Sequence, residues 1–401
     1  MIFFNFEGVD FSAQIHLSDI QVLPRRKRDQ RLDFFRGVTM LVIFIAHTPG
    51  NSWNDWIPAR FGFSSGTELF VFCSGCASAG AFGRVFQDKG WWLGSAKVVR
   101  RIWQIYWVQM ALILTSVTLA YHAQTFIGLD AFRRFLPLVD HSSVALVALI
   151  QLSWLPEFLD ILPMYVGILA LLPLMEILSR AHRYLPLMAS AGLWVGVHLV
   201  GFNFSGNPWT GDVWFLNPFA WQFCFMLGYS FGLKRIYAPP WRQTRFIGAA
   251  IGVLIIGFLF SFQPLVDSVP ALRHLQAWLV PEDAKTNLAP SRLLHFLCLA
   301  YLVLGWIDPF ADRLDRGVGA WIVRIGQQSL ATFVMSIVAA QLCGFVFQFA
   351  GAGFFVTFGV NVFGFSILLG TASIMNFIKR EPWSKPHTKR ELVVPGHLVI
   401  K

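Results

Sequence analysis

Apolar runs of transmembrane length recur from Phe34 to near the C-terminus, separated by short polar segments rich in Arg, Asn, Pro and Gly. They fall at 34–49, 67–86, 98–121, 161–179, 185–203, 217–233, 246–263, 292–308, 326–349 and 354–378. A helix rises 1.5 Å per residue, so about 20 apolar residues cross a hydrocarbon core of about 30 Å. The pattern predicts an all-α, polytopic bundle of about ten spans. It divides the chain into a basic lead-in at 1–30, a transmembrane domain at 31–378 and a basic tail at 379–401. The longest segment between runs, 122–160, carries one further apolar stretch, Val144 to Trp154, which reads as an interfacial or re-entrant helix.

Composition agrees with the pattern. The 401 residues are 55% hydrophobic and 13% charged, against about 25% charged in a soluble domain. The net charge of +10 does not point to nucleic acid, because the cations are not gathered on one polar domain. They follow the loops instead. With the N-terminus inside, 26 of the 32 Lys and Arg fall on one side of the membrane, and only Arg60, Arg133, Arg134, Arg273, Lys285 and Arg292 on the other. Such a bias orients the bundle with both termini cytoplasmic. The five cysteines, Cys73, Cys76, Cys224, Cys298 and Cys343, all lie in apolar runs and read as buried thiols, with no metal site expected.

The candidate chemistry begins in the first run. Arg36 and His47 are eleven positions apart, which places them about 16 Å apart along a helix and within about 20° of one face. A cation and an imidazole on one face of an apolar helix belong toward a cavity rather than lipid. Glu68 opens the second run on the His47 side, and a carboxylate beside an imidazole would orient it as a general base. Arg100 and Arg101 stand at the cytoplasmic mouth of the third run, where with Arg36 they suit the phosphates of a nucleotide-bearing donor. On the outer side, Asn51 and Trp53 have the amide and aromatic character that sugars need. Asp160, before the fourth run, and His295, within the eighth, complete the candidate acceptor-binding set.

These stretches resemble the acyltransferase-3 membrane family. Its R-x10-H appears as Arg36 and His47, its acidic second-span motif as GTELFVFCSG at 66–75, and its third-span element as RRIWQIYW at 100–107, with Gln104 where proline is usual. A histidine often found in the C-terminal half is replaced here by Ser336. The combined string from RLDFFRG to SSGTELFVFCSG is more similar to one branch, the OpgC-type proteins. FLDILPMYV, WFLNPFAWQF, KTNLAPSRLLHF and GQQSL extend that similarity over nearly the whole chain.

The resemblance implies a bacterial inner-membrane O-acyltransferase, with no bound cofactor and succinyl-CoA as co-substrate. Its acceptors would be glucose hydroxyls of osmoregulated periplasmic glucans, and glucan-synthesis machinery a partner. Direct transfer and an acyl-enzyme on His47 both fit. The alternatives are acetyl or other acyl transfer to a different envelope polysaccharide, and a glycan or lipid transporter. A transporter is expected to show paired broken spans or repeated halves, and the sequence has neither.

Overall fold

The structure, a computed structural model, describes residues 29–241, 243–383, 392–394 and 398–400. The expected lead-in, apart from Asp29 and Gln30, and most of the tail lie outside the described residues. Fifteen α-helices make up the described chain: α1 (Gln30–His47), α2 (Gly66–Ser78), α3 (Arg84–Ile127), α4 (Pro137–Asp140), α5 (Ser142–Ile150), α6 (Ile161–Ala181), α7 (Leu185–Val200), α8 (Pro218–Gly232), α9 (Thr244–Ser261), α10 (Gln263–Ser268), α11 (Pro270–Leu279), α12 (Pro290–Ile307), α13 (Gly317–Gln327), α14 (Ser329–Ala350) and α15 (Phe354–Lys379). Two three-residue strands, Leu392–Val394 and Leu398–Ile400, pair antiparallel near the C-terminus.

Among the described residues, six helical stretches are long and apolar enough to cross a bilayer, marking a membrane protein. The difference from about ten spans has local causes. The first run becomes α1, whose inner turns carry Arg31, Asp33 and Arg36. The runs at 185–203 and 217–233 yield helices of only 16 and 15 residues. The second and third runs lie on one 62-residue helical stretch, Gly66–Ile127. Within it a π-helical turn, Ala79–Gly83, and a left-handed Gly90 at φ 83° interrupt the ladder. The run at 326–349 divides at Gln328 into α13 and α14.

Helix α1 packs against α13, α14 and α2, while α2 packs along α8. The latter contact is close because Gly228 presents no side chain; a Cβ there would overlap the Phe72 carbonyl oxygen. Small residues at such crossings let helix backbones approach where lipid gives no hydrophobic drive. One core cluster joins these helices, with Met40, Phe44, Leu112, Trp221, Phe225, Tyr229 and Phe333 almost fully enclosed. By contrast, α9 buries little of its surface. Its exposed Ile251, Ile255 and Ile256 form the face an apolar solvent would cover.

Candidate active site

The last turn of α1 delivers His47 to a cavity of about 580 Å³. The imidazole Nδ1 lies 2.8 Å from the carbonyl oxygen of Ile43, one turn earlier. A carbonyl can only accept, so Nδ1 carries the hydrogen and the neutral ring keeps its lone pair on Nε2. Nε2 has no hydrogen-bond partner among the described residues. The ring edge meets Phe158 at a centroid distance of 5.4 Å. Phe158 holds a left-handed backbone at φ 69°, a costly conformation for a bulky residue and one that clusters at functional sites.

The cavity wall opposite His47 comes from two other parts of the chain. One is α14, which contributes Ile337, Gln341, Gly344 and Gln348. The other is the segment between α3 and α6. Gly128, at φ 73°, ends α3 in a left-handed cap. A short 3₁₀ turn, Arg133–Phe135, then fixes Arg134 by burying its neighbour Phe135 completely. Arg133, Arg134 and Glu157 all line the cavity. Burial pushes the Arg134 guanidinium below the usual arginine range, and the negative charge of Glu157 opposes that shift.

Lys285 is the electrostatic hub beside this cavity, within reach of His47, Asp160, Glu68 and Arg292. Its loop is fastened by backbone: Trp221 Nε1 donates to the Lys285 carbonyl at 3.0 Å, and Trp194 Nε1 to that of Leu288 at 3.0 Å. Its ammonium sits 5.0 Å from the centre of the Phe215 ring. Burial holds the Lys285 ammonium below the usual lysine range, and the charge of Arg292 adds to the shift. Asp160 occupies the N-cap position of α6, yet its side chain makes no capping hydrogen bond. Burial raises its carboxyl to about 6, against the opposing pull of Lys285.

Arg36 and His47 do share a face. Arg36 donates to Ser329 Oγ at the start of α14 and lies 3.9 Å from Asp33, and the His47 cavity is walled by the far end of the same helix. The expected contact between Glu68 and His47 is corrected: Glu68 faces elsewhere. Fully buried, it accepts from Arg292 Nε at 2.8 Å through Oε1, and from the Ser65 amide and hydroxyl at 2.8 Å each through Oε2. That reciprocal capping box opens α2. The ring-orienting partner expected of Glu68 is the Ile43 carbonyl.

The remaining predicted residues are spread over the molecule. Asn51 and Asn361 exchange amide hydrogen bonds of 2.9 and 3.1 Å, and Asn51 Oδ1 also accepts from the Trp53 amide. Trp53 lies against Phe358 and Phe365 of α15. His295 Nδ1 sits 2.8 Å from Ser64 Oγ, its ring pressed so closely on Gly62 and Gly257 that a Cβ at either would collide with it. These three side chains have protein partners rather than open space. On α3, Arg100 is exposed and Arg101 donates to Gln104 at 2.7 Å. A second cavity of about 400 Å³, beside Gln30 at the other end of α1, is lined by Arg324, Lys379 and Arg380. The 203–217 segment seats on the 141–154 segment, where Trp214 Nε1 donates to the Leu152 carbonyl at 2.9 Å and Trp209 stacks on His141.

Sequence reasoning did not assign Arg134, Lys285 and Gln341 to the site. A signal for the first two is the charge count: Arg134 and Lys285 are two of the six cations that the charge bias would put on the outer side, and both lie in or beside this cavity. Gln341 left no signal, being one amide within an apolar run. Residues 28–380 match the family model described as OpgC protein, and the chain belongs to that family. No curated protein and no solved structure matches it.

Proposed function

We propose that this protein is an inner-membrane O-acyltransferase that moves a succinyl group from succinyl-CoA to glucose hydroxyls of periplasmic glucans. Family membership points to glucan modification. The observation that carries the chemistry is His47, whose Nδ1 is tied to Ile43 while Nε2 is unpartnered at a polar cavity. In this mechanism Nε2 takes the proton from a glucose hydroxyl as its oxygen bonds to the thioester carbonyl carbon. The carbon–sulfur bond then breaks, and the sulfur takes the proton back from the imidazolium as CoA leaves. A base placed in this way contributes about 10²–10⁴-fold to rate.

Arg36, Arg100 and Arg101 are the proposed contacts for the donor's phosphates, with Arg324, Lys379 and Arg380 as a further cationic wall at that end of α1. The pantetheine arm would then run along the α1 and α14 face toward His47. Both termini are placed in the cytoplasm, as the charge bias suggests, and glucan-synthesis enzymes are natural neighbours for the acceptor. Relationship to the broader acyltransferase-3 family rests on the motifs at 36–47, 66–75 and 100–107. The test is mass spectrometry of periplasmic glucans from a deletion strain carrying the wild-type chain. A succinyl increment that depends on the protein is the expected result; an acetyl increment, or none, rejects the substrate assignment.

A further inference from the structure

Two residues lining the His47 cavity each carry a buried polar atom without a hydrogen-bond partner among the described residues. One is a donor, Arg134 Nε; the other is an acceptor, Gln341 Oε1. The amide orientation of Gln341 follows from its other bond, in which Nε2 donates to the Ser116 carbonyl at 2.9 Å. Arg134 makes no hydrogen bond or ion pair among the described residues. Glu157, the acid whose field it feels, is exposed at the cavity edge. Both side chains line the His47 cavity, and buried polar atoms of folded proteins are nearly always paired, so two such orphans in one cavity wall call for a ligand. Arg134 also lies within electrostatic reach of His47.

The two orphans differ in kind, and so do the two reacting partners of the proposed transfer. A glucan presents neutral hydroxyls, which suit an amide acceptor. A succinyl thioester differs from a short fatty-acyl thioester by a terminal carboxylate. A guanidinium edge, with Nε and one Nη side by side, is the protein group best matched to a carboxylate, through two parallel charge-assisted hydrogen bonds. An acetyl or butyryl donor carries no group that would satisfy Arg134 Nε.

Resting on the succinyl-transfer reading, we infer that Arg134 is the specificity residue that binds the distal carboxylate of a dicarboxylic acyl donor. Gln341 Oε1 receives the acceptor sugar beside it. Selectivity for succinyl over uncharged acyl groups then resides in the segment between α3 and α6 rather than on α1, which carries the base.

Membranes containing the full chain, assayed for acyl transfer to purified unmodified glucan, provide the test. Succinyl-CoA and butyryl-CoA serve as donors of equal carbon number that differ in charge. Wild type is expected to favour succinyl-CoA in kcat/KM by about tenfold or more, the worth of one charge-assisted bidentate pair. Arg134→Gln should lower that preference to near unity, chiefly through the KM for succinyl-CoA, with butyryl transfer kept. Arg134→Lys, which keeps the charge but not the fork, should fall between the two. If both variants keep the wild-type preference, or both lose the two donors in parallel at normal membrane levels, Arg134 does not read the carboxylate. A wild-type chain that transfers butyryl but not succinyl would reject the succinyl reading, and this inference with it.

Discussion

The polar regions around Glu68 and around His47 are built on opposite terms. Around Glu68, polar groups are closed on one another. Glu68 is held by Arg292 and Ser65, and His295 meets Ser64; Asn51 pairs with Asn361 in the same closed way. Around His47, polar groups are left open: Nε2 of the histidine, Arg134 Nε and Gln341 Oε1 have no partner among the described residues. Residues of the same types thus do different things. A closed network fixes one backbone arrangement; an open one waits for a ligand and carries the cost of burial until it arrives. Polarity at membrane depth is a weak guide to chemistry, and the bonding of each buried atom is the stronger one.

The contrast predicts that variants in the closed region damage stability before activity. Glu68→Ala leaves Arg292 as an uncompensated buried cation, and breaking such a pair costs about 3–5 kcal/mol. Thermal unfolding in detergent should show a large fall for Glu68→Ala, with transfer activity lost only as folded protein is lost. A Glu68→Ala chain that unfolds like wild type but cannot transfer would place the carboxylate in the chemistry.

Asp160 sharpens the comparison by pH. Burial lifts its carboxyl from 3.8 to about 6, so the folded state binds its proton more tightly than the unfolded state. That contribution to stability is full below about pH 3.8 and is lost as pH rises through about 6. Relative to Asp160→Asn, wild type should lose on the order of 2–3 kcal/mol between these limits. Melting curves at pH 4 and pH 7 check the sign; a difference that does not move with pH would mean that Asp160 is solvated. A smaller effect belongs to Gly62→Ala. Its Cβ would collide with a His295 ring locked by Ser64, an overpacking cost of about 1–3 kcal/mol. Removing the ring in Gly62→Ala/His295→Ala should relieve most of it, and a melting temperature that stays low in the double variant would refute the collision.

What the sequence made legible was what one helix can encode. Arg36 and His47 share one side of α1 because eleven residues return to nearly the same face, and in the structure both look toward α14. The helical class and the membrane setting followed from run length. The partners of His47 did not, because they are tertiary. Gln341 arrives from a helix nearly three hundred residues away in the chain, and the Arg134 guanidinium lies over the buried Phe135 ring, 4.9 Å from its centre. Glu68 misled for a definite reason. At the third position of a capping box its carboxylate is claimed by Ser65, three residues earlier, a signal present in SSGTE from the start. Asn51, which reads as a sugar ligand, is likewise the N-cap of the following 3₁₀ turn, its side chain bonded to the Trp53 amide.

The most direct test compares His47→Ala with wild type in one preparation, measuring succinyl transfer to glucan and the melting temperature together. His47 donates one hydrogen bond to its own helix, so its loss should change stability by about 1 kcal/mol while transfer falls by about 10²-fold or more. A folded His47→Ala protein that still succinylates glucan at the wild-type rate would contradict the assignment of His47 as the base.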